Sequence, residues 1–281
     1  MYFFMIIVAA IMFSFQFVFN DGFRRESDGS FNASLKFALY SSIVGIIVLL
    51  VINKLHVEVS LFSVLTACVY SVVYIILSYA SIKAFEYANL SVYSVFSMIG
   101  GMILPFFYGL LCGEEFKTIR LMCCILIALA VAMSIKKGEH SKKAVKYYIM
   151  VFFLNGLVGV ISKFHQSYAD VCVNSGSFMI HTKIITALLS FVLLLLQKER
   201  SFGVNRKALI YSGLYSVLNS VGNLLLLIAL LYLPASVQYP VITGGVIVVS
   251  TLIVIIRKEK INKKEILAAG VAFVATVLMA M

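Results

Sequence analysis

Tryptophan is absent from this 281-residue chain, proline occurs three times, and aspartate and glutamate together occur only 12 times. Charged residues make up 12% of the chain, about half the share usual in soluble domains, which excludes a water-soluble globule. Three prolines and 17 glycines exclude a disordered or collagen-like chain. The five cysteines form no CxxC pair, so neither a disulfide framework nor a metal site is expected. A glycine-rich phosphate loop, an HExxH pair and a GxSxG elbow are also missing, which argues against direct ATP drive and against hydrolytic chemistry. No enzyme activity and no cofactor are expected. Glu86 and Asp170 sit at the ends of apolar runs, so a proton relay through a carboxylate lacks a carrier, leaving His165 or His181 to serve.

What fills the chain instead is apolar: 62% hydrophobic residues and a mean hydropathy of +1.03. The apolar runs are long and continuous, unlike the ten-residue alternations of a membrane barrel. At about 20 residues per span, ten helices are expected. The first five lie near 2–19, 33–53, 61–84, 91–112 and 118–135. The second five lie near 145–164, 176–197, 207–231, 236–256 and 264–281. The first run begins at Met1 without a basic segment before it, so it reads as a span rather than a cleavable leader. The loops are too short for a soluble domain. Function is expected in the bilayer or at its rim, in a multi-pass protein of the cell membrane.

The chain repeats itself weakly. A shift of 145 lays Tyr70-Ser71-Val72 on Tyr215-Ser216-Val217 and Gly100 on Gly245, and it lays Glu114 on Glu259. Near the start of each half a shift of 147 lays Gly29-Ser30-Phe31 on Gly176-Ser177-Phe178 and Lys36 on Lys183. The halves are then 1–137 and 138–281, with five spans each. Because five is odd, the second half enters the membrane inverted relative to the first. Inverted repeats are the architecture of secondary transporters that bind solute near the midplane.

Ten spans in a five-plus-five repeat, with Gly113-Glu114 between the fourth and fifth and matching stretches at Ala84–Ile135 and Ala229–Ala280, resemble the EamA-like branch of the drug/metabolite transporter superfamily. Lys258-Glu259 stands where the second copy would carry Gly-Glu. The resemblance implies an all-α integral membrane fold and transport by alternating access.

An ionisable group inside a span marks a candidate site, because its insertion costs about 3 kcal/mol. Lys36 and Lys183 are such groups, one in each half, with His181 nearby. As a pair they would hold a carboxylate or phosphate; otherwise they snorkel to the rim. Tyr70, Tyr74 and Ser78 recur every four residues, as do Tyr215, Asn219 and Asn223, so each trio occupies one helix face. Such a stripe lines a cavity or ties helices together. Gln16, and Gln238 with Tyr239-Pro240, are further candidates. Gly100-Gly101, Gly244-Gly245 and Gly109-x-x-x-Gly113 are expected to let helices approach closely; a dimer seam is the alternative to a monomer.

The leading expectation is a transporter of a small anionic or zwitterionic solute. Most of the 15 tyrosines lie in or near spans, which keeps a quaternary ammonium solute open. A lipid-linked sugar flippase is a third possibility. The net charge of +11 points to cytoplasmic loops and the lipid bilayer, not to nucleic acid. Of the 23 Lys and Arg, 17 fall in the odd-numbered loops. By the positive-inside rule those loops face the cytoplasm and both termini face outward, whereas characterised members of the family usually have both termini inside. A reporter active only in the cytoplasm and fused after Met281 is therefore expected to be silent; an active reporter reverses the orientation.

Overall fold

The computed structural model describes residues 1–281 except 88–89, 116–117, 120, 123–124, 127–128, 130–141, 198–200, 259–265, 268–269, 272–273, 276–277 and 279–281, and the side chains of 91, 92, 95 and 142–144. Eight α-helices run through the described residues: α1 (Tyr2–Arg25), α2 (Phe31–Ile52), α3 (Leu61–Ala84), α4 (Leu90–Leu111), α5 (Lys142–Ser167), α6 (Ser175–Leu195), α7 (Arg206–Leu230) and α8 (Ala235–Ile256). Seven are long and apolar enough to cross a membrane, and α4 adds the apolar stretch Phe96–Leu111. The residues described within 118–129 and 266–278 are helical as well. The expected spans at 118–135 and 264–281 otherwise fall outside the described residues, as does Glu259.

Short polar side chains start the helices. Ser30 accepts from the Ala33 N–H, Ser60 from Ser63, Asn174 from Ser177 and Asn205 from Lys207. Each satisfies a backbone donor that the first turn leaves open. These caps also correct the repeat register. Ser60 and Asn205 are 145 apart, as expected, but Ser30 and Asn174 are 144 apart, not 147. Lys36 is the sixth residue of α2, while Lys183 is the ninth of α6. At 1.5 Å per residue, Lys183 lies about 4.5 Å deeper than Lys36.

The first helix also outruns its expected end at residue 19. Asn20 and Asp21 read as loop residues, yet both are buried in α1. Asp21 pairs with Arg25 one turn on, at 2.7 Å, which carries the helix through the polar stretch.

Each helix packs most extensively against two others, and both always come from the opposite half of the chain. Following these contacts gives a closed circuit, α1–α7–α2–α6–α3–α5–α4–α8 and back to α1. The halves are therefore interleaved in one ring rather than set side by side as lobes. Glycines allow the closest approaches. A β-carbon on Gly100 of α4 would fall onto the backbone carbonyl of Phe152 in α5, and one on Gly156 would lie 2.6 Å from the Gly100 oxygen. Gly113 differs from the expectation of close helix packing: its φ is +89° and nothing lies within 4 Å of the added carbon, so it serves the turn after α4. A β-carbon on Gly109 would meet the Glu114 carboxylate at 2.9 Å.

Gly100→Ala should cost about 1–3 kcal/mol by overpacking, because backbone, not a flexible side chain, must move. Gly213→Ala in α7 meets nothing within 4 Å and should leave stability equal or higher. Thermal unfolding of the purified protein in detergent, followed by size exclusion, checks both.

Candidate functional site

A cavity lies inside the ring, with about 100 Å³ open to the centres of water-sized molecules. That is room for a few ordered waters, or a small organic solute in their place. Seven of the eight helices line it; α6 does not. Eight aromatic residues wall it: Phe13, Phe17, Phe37, Tyr70, Tyr74, Tyr93, Tyr215 and Tyr239. Amides and hydroxyls fill the gaps between them, including Gln16, Asn20, Asn155, Asn219, Asn223, Ser78 and Ser162. Among the described residues, no ionisable Asp, Glu, His, Lys or Arg lines the cavity.

Helical spacing explains this assembly. Tyr70, Tyr74 and Ser78 project from one face of α3, and Tyr215, Asn219 and Asn223 from one face of α7. The two stripes meet where the Tyr74 and Tyr215 hydroxyls hydrogen-bond at 3.2 Å, while Tyr70 stacks beside Tyr74 with ring centroids 6.4 Å apart. Asn219 is the node of a longer network. Its Nδ2 donates to Gln16 Oε1 of α1 at 2.9 Å, and its backbone oxygen accepts from Asn223 Nδ2 at 2.8 Å. Its Oδ1 accepts from Lys183 Nζ of α6 at 2.9 Å. The same ammonium sits 5.2 Å from the Tyr74 ring centroid, in cation–π range.

The sequence candidates thus divide. Gln16, Tyr70, Tyr74, Tyr215, Asn219 and Asn223 border the cavity. Lys183 is 4% exposed and stands one side chain behind the wall. Lys36, the shallower lysine, donates to Gly203 O at 3.0 Å and Ser201 Oγ at 3.3 Å in the loop before α7, so it reaches the rim and not the cavity. The expected pairing of Lys36 with Lys183 is therefore not found: three residues of register send one ammonium out and keep the other in. His181 is buried away from the cavity. Gln238 is fully buried and donates to Leu226 O at 2.7 Å, whereas its neighbour Tyr239 faces the cavity.

Asn20, Tyr93 and Asn155 were not among the sequence candidates. Asn20 is one turn beyond Gln16, a spacing hidden when the first span is ended at residue 19. Asn155 was a legible signal, a lone amide in an apolar run; its Nδ2 donates to Ser97 O at 2.6 Å.

A second polar contact ties the two halves at the end of the ring opposite the loop that holds Lys36. Pro234 precedes α8 and offers no side-chain cap. Glu114 supplies one from the first half, accepting from the Ala235 and Ser236 N–H groups at 2.9 and 3.0 Å. Lys163 of α5 completes the contact at 3.0 Å. Burial pushes the Glu114 carboxyl up, but the two helix N–H donors and the ammonium outweigh it and hold it below the ordinary carboxylate range.

Residues 142–281 match the family model described as the EamA-like transporter family. A search of curated proteins finds no match. Among solved structures 27 chains match. One crystal structure has a TM-score of 0.61 and 13% identity to this chain, covering 99% of this chain and 94% of the other. That likeness is one of fold alone.

Because the folded value of Glu114 is depressed, its contribution to stability is fully present above about pH 4.5 and is lost as pH falls through the folded value. Glu114→Gln should destabilise the protein at neutral pH by about 1.5–3 kcal/mol, the range for hydrogen bonds to a charged group. Its deficit should shrink as the medium is acidified. Thermal unfolding of both forms across pH checks this, and a deficit independent of pH contradicts it.

Proposed function

Since this chain belongs, through residues 142–281, to the EamA-like transporter family, we propose that it is a secondary transporter whose ring cavity carries a small anionic or zwitterionic organic solute by alternating access. The observation that carries the proposal is the buried Lys183 ammonium beside a cavity lined by amides and aromatics, with no carboxylate among its described residues. An anion gains from a protonated Lys183, whereas a cation gains nothing from it.

The helix circuit supports an inverted relation between the halves. Exchanging each helix for its repeat mate (α1 with α5, α2 with α6, α3 with α7, α4 with α8) returns the same circuit read in the opposite sense. A two-fold axis in the membrane plane reverses a ring in this way, whereas an axis along the membrane normal would preserve its sense. Local contacts agree with the exchange. Gly100 of α4 abuts Phe152 of α5; Gly245 of α8, its match at the 145 shift, faces Ala10 of α1, the helix exchanged for α5, with an added β-carbon 3.0 Å from Ala10 Cβ. Ser71 and Ser216, another mated pair, donate across to Thr182 O of α6 and Ser41 O of α2. Interleaving also constrains the motion. Sliding one sequence half against the other would disturb every major packing at once, so the moving bodies mix helices of both halves.

The aromatic wall favours one other reading, a quaternary ammonium solute held by ring faces. Uptake of labelled carboxylates and of a quaternary ammonium into proteoliposomes separates the two. Lys183→Met should weaken binding of the transported anion by about 1.5–3 kcal/mol, or roughly 10–150-fold. Lys36→Met should leave affinity unchanged. Unaltered affinity in Lys183→Met, or uptake of the cation alone, would reject the anion reading.

A further inference from the structure

We propose that Lys183 couples solute to protons: its amine takes up a proton as the anion enters the cavity and releases it as the anion leaves, so one monoanion and one proton cross together. The proposal rests on the anionic-solute reading above.

The surroundings of Lys183 carry it. An ammonium has three donors, and among the described residues Lys183 meets one acceptor, Asn219 Oδ1, and one ring face, Tyr74. From α2, Gly45 packs on the stem: a β-carbon there would lie 3.2 Å from Lys183 Cδ and 2.8 Å from Ser220 Oγ of α7. The titratable groups facing this region are phenols, Tyr70 and Tyr74 of α3 and Tyr215 of α7; α1 presents Gln16, bonded to Asn219. His181, on the same helix, is the other ionisable group nearby in sequence. No carboxylate pairs with Lys183 among the described residues; the described ion pairs all lie at helix ends or in loops.

A charge removed from water without a counter-charge loses several kcal/mol of hydration, and one amide oxygen with one ring face restores only part of it. In this proposal the empty site gives up its proton, and the neutral amine can still donate to Asn219. An anion in the cavity, beyond Asn219, supplies the missing counter-charge, and a nearby opposite charge favours the ammonium. Proton and anion then bind each other's state more tightly, and by linkage the effect is reciprocal. The proton moves from water on the entry side to Nζ and from Nζ to water on the exit side; no bond other than N–H forms or breaks. The loaded site holds ammonium plus anion and the empty site holds neutral amine, so neither leg moves net charge.

The test uses monovalent alkyl and aryl sulfonates, which stay ionised and cannot carry the proton themselves. Sulfonate and proton uptake are measured together in proteoliposomes of the full-length protein. Wild type should move about one proton per sulfonate, driven by an inward proton gradient and indifferent to membrane potential. Lys183→Arg keeps its charge at every working pH, so it should move sulfonate with no proton and become sensitive to potential. Asn219→Asp gives Lys183 a permanent counter-charge; it should lower sulfonate uptake at least tenfold and abolish proton movement. Sulfonate uptake by wild type without protons, or proton movement retained in both variants, overturns the coupling while leaving anion transport standing. Failure of wild type to move any sulfonate or carboxylate overturns the anion reading and the coupling with it.

Discussion

The hydrogen bond from Lys183 to Asn219 is the contact around which the rest of the molecule is arranged. It holds a basic amine inside a helical bundle where hydration is lost, and it does so with an amide in place of an acid. One step on, Asn219 reaches Gln16, so a single side chain joins α6, α7 and α1. Substituting Asn219 with an apolar residue would strand the ammonium and the Gln16 oxygen together, which is more costly than losing either bond alone.

Closure of the ring makes that arrangement tenable. In a bilayer, polar side chains facing lipid are expensive, so amides and hydroxyls must turn inward. A closed circuit of eight helices gives them an inside, and the large apolar side chains of α1, α2 and α3, such as Phe4, Ile47 and Leu65, are left on the outer surface. Glycines set how tightly the circuit closes: Gly100 and Gly156 bring the α4 and α5 backbones together, while Glu114 fastens the bare start of α8 to the first half. The α4–α5 seam is tighter at its glycine than the α8–α1 seam.

Much of this was legible in the sequence because its causes are local. Apolar run length marked the helices, and four-residue spacing on α3 and α7 identified six residues that share one cavity. What was not legible depended on register and on contacts distant in sequence. Matching Lys36 with Lys183 by residue type suggested a pair, but the helix caps set their depths three residues apart, enough to send one to the rim. The end of α1 was misjudged because Asp21 and Arg25 read as a polar break, whereas as neighbours on a helix face they sustain it. Ending the span there hid Asn20. The cap that Glu114 gives α8 joins residues 121 positions apart, and nothing local announces it.

In the proposed carrier, solute is held at Lys183 through Asn219, inside the ring. A crystal structure with a bromine- or iodine-substituted carboxylate tests it most directly, since anomalous scattering locates the halogen and the adjoining density orients the carboxylate. The carboxylate should lie within about 4–6 Å of Lys183 Nζ, in contact with Asn219, with its body against Tyr74 and Tyr215. A carboxylate bound at the rim beside Lys36, with the cavity holding only water, would contradict it.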